Sequence, residues 1–183
     1  MINRMCTKKN KKTMENIIEV TIEVPMASDP IKYEVDDATG KLYLDRFLDT
    51  AMYYPCNYGF IPHTLAGDGD PIDVMVISPY PLLSGCIARC RAIGVLKMFD
   101  EEGQDHKILA VPDDAMYVGW NDLEDVPDRL LSQLRHFFDH YKDLDPYRWV
   151  TVLGWEDSKS AHETLDEAIS KYNQNNIKNE GKL

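Results

Sequence analysis

The first patterned segment of the chain reads Ile17-Ile18-Glu19-Val20-Thr21-Ile22-Glu23-Val24. From Ile18 to Val24 an apolar residue occupies every second position, and polar residues lie between them. Because successive side chains of a β-strand point to opposite faces, this period of two predicts a strand with one buried face. Pro25 follows directly and predicts the end of that strand.

The same period continues along the chain. Lys32 and Glu34 alternate with the apolar residues of 31–35, so we expect both charged side chains on one face of a second strand. Further strands are predicted over 41–47, 74–77, 87–98, 107–111 and 149–155. Residues 74–77 are continuously apolar, as in a strand buried on both faces. Gly94 predicts a bulge or bend within the longest strand.

Two helices are predicted in the C-terminal third. Asp125 is the N-cap candidate of the first, with Pro127 in its opening turn. Ser160 to Glu163 fits a capping box and predicts the start of the second. Many short strands followed by two helices predict an α+β, β-rich fold in which a closed or nearly closed barrel carries the helices on its outside.

Length and composition indicate one domain. The 183 residues are 44% apolar, enough for a single core. We expect a mobile basic N-terminal arm over 1–15, one domain over 16–173 and a C-terminal tail over 174–183. No apolar run is long enough for a membrane helix or a signal peptide. The four scattered cysteines predict free thiols, and we therefore expect a cytoplasmic protein without membrane partners.

The net charge of −11 disfavours nucleic acid as a partner, because phosphate backbones bind basic surfaces. An acidic protein can still bind an anionic substrate when metal cations lie between the two. The composition thus directs attention to carboxylates that are close together in the chain.

The densest such segment reads Gly67-Asp68-Gly69-Asp70-Pro71-Ile72-Asp73. Two carboxylates about 4 Å apart repel each other by roughly 4 kcal/mol at an effective dielectric near 20, and a bound cation removes that cost. Oxygen ligands at this density suit Mg²⁺, Mn²⁺ or Ca²⁺. An EF-hand is excluded, because its glycine position falls on Asp73 and strands flank the loop. Considered alone, the loop is equally compatible with a plain acidic turn.

Other charged and aromatic residues are candidates for the same site. The acidic stretch with Asp100 and Asp105 doubles the carboxylate density if the barrel places it beside the first loop. Cationic side chains alternate with acids, which suits an oxyanion bridged to carboxylates by metal. Tyr54, Tyr58 and Tyr141 are candidate donors to phosphoryl oxygens, whereas Tyr53 is expected to pack in the barrel core or at its rim. His136 and His140 share a helix face that we expect to pack or to form a subunit contact.

The order of these motifs resembles a known family. Residues 68–74 match the signature of the soluble family I inorganic pyrophosphatases of bacterial type. Segments that are also similar to bacterial members lie at 29–34, 45–47, 54–59, 94–98 and 136–142. The resemblance extends from about Ile17 to Trp155. It departs in the lysine-rich N-terminal arm and at Arg148, where many members have lysine.

The resemblance implies an OB-like five-stranded β-barrel and hydrolysis of pyrophosphate to two phosphates at a site with several Mg²⁺ ions. It also implies that Mn²⁺ can substitute, that Ca²⁺ inhibits, and that the enzyme is a homo-oligomer, with a hexamer favoured. Implied metal ligands are Asp68, Asp73, Asp100 and Asp105, and the implied general base is Asp70. Implied substrate ligands are Lys32, Arg46, Tyr58, Lys107, Tyr141 and Lys142, with Glu23, Glu34, Tyr54 and Arg148 near the site.

Two rival functions stay open at this point. A non-enzymatic OB-like binding module would need an exposed aromatic strip with basic neighbours, which the −11 charge disfavours. A hydrolase of nucleotide phosphoanhydrides would need a nucleoside-binding motif, and none is recognisable in the sequence. Phosphate release from pyrophosphate, from ATP and without substrate separates the three possibilities.

Overall fold

A computed structural model describes residues 16–36 and 39–180. The predicted arm over 1–15 lies outside the described residues. In the described part the strands are β1 (Ile17–Val24), β2 (Ile31–Val35), β3 (Leu42–Phe47), β4 (Asn57–Phe60), β5 (Asp73–Val76), β6 (Ile87–Asp100), β7 (Gly103–Gln104), β8 (Lys107–Pro112) and β9 (Val150–Glu156). The helices are α1 (Asp128–His140) and α2 (Ser158–Glu180), and two short 3₁₀ turns cover Ala115–Tyr117 and Leu123–Asp125.

Five strands form a closed ring. β1 pairs with β4, β4 with β5, β5 with β8, β8 with β6, and β6 returns to β1. All of these pairings are antiparallel except that of β5 with β8, which is parallel. β7 and β9 extend the sheet from β6, while β2 and β3 form a separate hairpin. The predicted five-stranded barrel with helices near the C-terminus is confirmed.

The sheet is packed on both faces, as the continuous apolar run at 74–77 predicts. Val74 and Val76 lie in one buried cluster that includes Leu165 of α2. Met75 lies in a second cluster, which includes Phe137 of α1. Because alternate residues of β5 contact opposite layers, this strand has no solvent-facing side and shows no polar alternation.

Sequence periodicity missed β4, one of the five ring strands. Its four residues are all buried, but the first of them is the polar Asn57. The side-chain oxygen of Asn57 accepts hydrogen bonds from the backbone N–H groups of Met26 at 3.1 Å and Leu82 at 2.7 Å. Its amide nitrogen donates to Ser78 Oγ at 2.8 Å. Since these bonds replace water, a polar residue is tolerated in the core and hides the strand pattern.

The predicted bulge in the long strand is confirmed. The register between β6 and β8 shifts between Ala92 and Gly94. A Cβ atom at Gly94 would lie 2.3 Å from Leu123 Cδ2, so glycine lets the bent strand meet that side chain.

Both predicted helix starts were wrong. Asp125 belongs to a 3₁₀ turn, where it forms a capping box with Asp122, and α1 begins at Asp128 after Pro127. α2 begins at Ser158, two residues before the predicted capping box, and Asp157 Oδ1 accepts the Ser160 N–H at 2.9 Å. Helix α2 continues through residues 174–180. The division of the chain at residue 173 stays a prediction.

The ring depends on a close approach between β1 and β4. Gly59 lies opposite Ile22, and a Cβ atom built on it would lie 1.9 Å from the backbone oxygen of Thr21. No side chain can be placed there unless the two strands separate, because the obstructing atom belongs to the backbone.

We therefore expect Gly59→Ala to lower the free energy of unfolding by about 3 kcal/mol or more, the upper end for overpacking. Urea unfolding at 25 °C checks this. Gly119→Ala is the matched control, since nothing lies within 4 Å of a Cβ atom there. Equal stability of the two variants would show that the strands separate at little cost.

Candidate active site

One cavity of about 390 Å³ brings together all fifteen residues that the sequence analysis assigns to the site. They come from β1, the β2–β3 hairpin, the segment before β4, β4 itself, the β4–β5 loop, β5, the β6–β8 region and the segment after α1. They are Glu23, Lys32, Glu34, Arg46, Tyr54, Tyr58, Asp68, Asp70, Asp73, Asp100, Asp105, Lys107, Tyr141, Lys142 and Arg148. Sequence analysis did not assign five further lining residues, which are Val35, Phe60, Pro71, Glu102 and Phe138.

The parallel pairing of β5 with β8 sets the centre of the cavity. Asp73 and Lys107 are the first residues of these strands and are register partners across them. The Lys107 ammonium contacts the carboxylates of both Asp73 and Asp105. The second acidic stretch therefore lies beside the carboxylate loop, as required for the carboxylate density to double.

The preceding loop presents two more aspartates. Asp68 Oδ1 accepts the backbone N–H of Asp70 at 3.1 Å, which makes a local turn. Gly69 between them has φ +101°, a conformation that residues with a Cβ atom rarely adopt. Asp70 is exposed and lines the cavity. Across the described ranges, no donor or cation contacts its carboxylate.

Burial of charge is concentrated at this cavity. Among the residues that the structure describes, the buried side chains that can carry a charge are Glu23, Asp100, Asp105, Lys107 and Lys142, and all five line it. Charged side chains are rarely this buried in a protein core, since removing a charge from water is expensive. Such a concentration is typical of a functional site.

Burial destabilises the charged forms of several cavity carboxylates and so raises their pKa values. Burial raises the pKa of Glu23 to about 8, and the charges of Asp73 and Glu34 act in the same direction. Burial also raises the pKa of Asp105 to about 6, although Lys107 opposes that shift. For Lys107, burial alone would lower the pKa, but the carboxylates of Asp105 and Asp73 outweigh it and raise the pKa well above its usual value.

A second set of ion pairs positions the cations near the end of α1. Lys142 Nζ donates to Asp100 Oδ2 at 2.8 Å and to both oxygens of Glu101 at 3.1 Å. Glu101 also accepts the backbone N–H of Trp149 at 3.2 Å and lies 3.8 Å from Arg148 Nε. Glu101 was not assigned to the site, because nothing in the sequence of a charged hairpin tip shows which cation it reaches.

The β2–β3 hairpin supplies two more cations. Lys32 Nζ donates to Glu34 Oε1 at 2.5 Å, which confirms that the two side chains project together. Arg46 Nη1 donates to Asp45 Oδ2 at 2.8 Å, and Lys32 lies 3.5 Å from the same oxygen. Cations held in this way keep additional N–H groups for an anionic ligand.

Two tyrosines line the wall between these groups. Tyr54 and Tyr58 are buried with ring centroids 5.2 Å apart, and the Lys107 ammonium lies 5.6 Å from the Tyr58 ring centroid. Burial raises the pKa of Tyr58, with help from Asp73 and Asp105, so its phenol stays protonated and can donate. Tyr53 is 55% exposed, so it does not pack in the core, and packing at the rim of the barrel stays a prediction.

Oxygen donors at the centre fit a hard cation, but they are not arranged around one. Over residues 16–36 and 39–180, no group of three or more His, Cys, Asp or Glu side chains is placed to hold a metal ion. The Lys107 ammonium lies between Asp73 and Asp105 and offsets their charge. The carboxylates nevertheless remain the ligand type that Mg²⁺ prefers.

The other predicted groups lie away from the cavity. His136 and His140 are exposed with ring centroids 4.6 Å apart, and His140 Nδ1 lies 2.9 Å from Asp143 Oδ2. A subunit contact on this face, like the hexamer itself, stays a prediction. Cys56, Cys86 and Cys90 are free thiols, and Cys6 lies outside the described residues.

Comparison with known proteins identifies the family. The family model described as inorganic pyrophosphatase matches residues 20–173. The chain is 53% identical to an inorganic pyrophosphatase of Yersinia pestis, over 82% of this chain and 87% of that protein. It is 52% identical to one from Escherichia coli K12, with the same coverage.

Solved structures agree in fold. An inorganic phosphatase from Anaplasma phagocytophilum superimposes with a TM-score of 0.84 at 46% identity, covering 86% of this chain and 94% of that one. An inorganic pyrophosphatase from Helicobacter pylori gives 0.83 at 41% identity with the same coverage. The fold and the charged cavity thus define a hydrolase. The chain belongs to the inorganic pyrophosphatase family. Within the part that the structure describes, no helix has the length and hydrophobicity to cross a membrane.

The central ion pairs generate a stability prediction. Lys107→Met removes the cation between two carboxylates, and breaking a buried pair typically costs about 3–5 kcal/mol. We expect a loss of that order in the free energy of unfolding in EDTA, measured with urea. We also expect Mg²⁺ to stabilise this variant more than the unsubstituted protein, because the metal would offset the charge that Lys107 offsets.

Lys159→Met is the control, since the Lys159 side chain is 82% exposed and forms only a surface pair with Glu163. A loss below about 1 kcal/mol for Lys107→Met would mean that the two carboxylates do not depend on this ammonium.

Proposed function

We propose that this chain hydrolyses inorganic pyrophosphate to two phosphates in the cavity of about 390 Å³. The observation that carries the proposal is the composition of the cavity wall, which contains eight carboxylates and five cationic side chains. The cations suit the oxygens of two adjacent phosphoryl groups, and the excess of carboxylates suits metal ions bound between protein and substrate.

Metal ions would be held on the carboxylate side of the cavity. We propose Asp68, Asp73 and Asp105 as ligands, with Asp100 helping to hold metal that arrives with the substrate. Mg²⁺ would lower the pKa of a bound water and neutralise charge on the phosphoryl oxygens. We expect Mn²⁺ to substitute and Ca²⁺, with its looser coordination, to inhibit.

Asp70 is the proposed general base. Its carboxylate lines the cavity and is free of donors and cations in the described part of the chain, so its lone pairs can accept a proton from water. Asp68 and Asp73, which lie two and three residues away, differ from it in being half-buried. Within one loop, the exposed Asp70 would therefore accept the proton, and the half-buried Asp68 and Asp73 would bind metal.

Phosphoryl groups would be bound by the cations and phenols that lie among these carboxylates. We propose that Lys32, Arg46, Lys107 and Lys142 bind the oxygens of pyrophosphate, with Tyr58 and Tyr141 donating from their phenols. Glu23, Glu34, Tyr54 and Arg148 lie in the same wall and adjust its charge and shape. These cations and phenols would stabilise the negative charge that moves to the leaving phosphate.

The buried charges favour this hydrolase over a nucleic-acid binding module. Buried carboxylates repel phosphates unless cations intervene, so a module that binds a phosphate backbone gains nothing from Glu23 or Asp105. A nucleotide hydrolase uses similar phosphate chemistry, and the choice of substrate decides between it and a pyrophosphatase.

The direct test is phosphate release from pyrophosphate, ATP and a phosphate monoester, each with Mg²⁺ and with EDTA. We expect pyrophosphate with Mg²⁺ to react far faster than the other two, because the named groups suit two adjacent phosphoryl groups and no nucleoside-binding motif is recognisable in the sequence. Activity should vanish in EDTA. ATP turnover comparable to that of pyrophosphate would contradict the proposed substrate.

The role of Asp70 has its own test. Asp70→Asn keeps the shape of the side chain and removes proton acceptance, so turnover should fall by about 10²–10⁴, the usual size of a general-base contribution. Mg²⁺ binding, followed by calorimetry, should persist. Asp166→Asn on the exposed face of α2 is the matched control. Unchanged turnover in Asp70→Asn would exclude the role.

A further inference from the structure

The loop that carries the aspartates lies between two cavities. It connects β4 to β5 over residues 61–72. Asp68 and Asp70 face the main cavity, but Leu65, Ala66 and Gly67 line a second, polar cavity of about 340 Å³ beside α2. Since packing on this side of the loop is incomplete, hydrogen bonds contribute more to holding its conformation.

A buried hydroxyl joins those two ends. Thr64 is only 2% exposed, and its Oγ1 donates to the Ile61 carbonyl at 2.6 Å. The same oxygen accepts the backbone N–H of Ile72 at 2.9 Å. The Ile61 N–H donates to the Ile72 carbonyl at 3.0 Å, so the threonine hydroxyl and one backbone bond close the base of the loop.

The hydrogen-bonded base of the loop is directly connected to the aspartates of the proposed reaction. Ile72 precedes Asp73, and the Ala66 N–H donates to the Asp70 carbonyl at 2.7 Å. On the outer side, the Leu65 N–H donates to the Ala168 carbonyl of α2 at 3.1 Å. A shift at Ile72 would therefore move Asp73, and a shift at Thr64 would, through Ala66 and the cross-loop bond, move the backbone of Asp70.

We propose that the Thr64 hydroxyl is a positioning group for the reaction, which fixes the loop so that Asp68, Asp70 and Asp73 hold the spacing needed for metal and water. The proposal rests on the proposed pyrophosphatase function. Thr64 itself does not line the main cavity, so it touches neither substrate nor metal and acts through the three aspartates.

The test compares substitutions that differ in the hydroxyl. Thr64→Ser keeps it, Thr64→Ala removes it, and Thr64→Val removes it with little change in volume. The readouts are kcat for pyrophosphate and the Mg²⁺ concentration for half-maximal activity, both at 25 °C. We expect Thr64→Ser to resemble the unsubstituted protein. The two hydroxyl-free variants should need roughly tenfold more Mg²⁺, since they leave the buried Ile72 N–H without its acceptor.

Thr50→Val controls for the loss of a buried threonine hydroxyl elsewhere. Thr50 is 9% exposed and its Oγ1 accepts the Met52 N–H at 3.1 Å. We expect this variant to lose stability in urea unfolding without a change in its Mg²⁺ requirement. Mg²⁺ calorimetry on the folded variants gives the same comparison without turnover.

The outcomes separate the two proposals. An unsubstituted protein that does not hydrolyse pyrophosphate contradicts the proposed function. If it is active, but Thr64→Ala and Thr64→Ser share one Mg²⁺ requirement and one kcat, the positioning role is overturned. It is also overturned if neither hydroxyl-free variant folds at 25 °C, because the hydroxyl is then structural only.

Discussion

The ammonium of Lys107 lies between the carboxylates of Asp73 and Asp105, and this contact joins the topology of the barrel to the chemistry of the cavity. Asp73 and Lys107 meet because β5 and β8, far apart in sequence, run parallel as neighbours in the closed ring. A lysine this buried is tolerated only with carboxylates beside it. Closure of the ring therefore brings these charges together, and their pairing in turn stabilises the closed ring.

Pairing does not remove the excess of negative charge. The raised pKa values of Glu23 and Asp105 reflect the cost of burying their charged forms, which persists with Lys107 present. A divalent cation offsets two carboxylate charges at once, and the ammonium offsets one. A hard cation bound as proposed would therefore offset more of this charge than Lys107 does alone.

The sequence predicts the parts of this molecule that follow local rules. Period two locates β1 and β2, and the family resemblance names fifteen residues that share one cavity. Periodicity missed β4, because hydrogen bonds from distant segments permit a buried Asn57. The sequence analysis misplaced the helix starts, because Asp122 closes a 3₁₀ turn and also accepts the Ser158 hydroxyl at 2.8 Å, a contact that only the fold brings about.

Apart from Lys107 on β8, the cations proposed to bind substrate lie on other parts of the fold than the carboxylates proposed to bind metal. Asp73, Asp105 and Asp100 lie on or between ring strands whose neighbours pair on both sides. Lys32 and Arg46 lie on the separate β2–β3 hairpin, and other cations follow α1, outside the ring. Elements with fewer buried contacts open more easily than a closed ring. For the proposed reaction, the arrangement would combine carboxylates fixed by the ring, which suits metal binding, with more adjustable cations outside it, which suits the entry of substrate and the release of two phosphates.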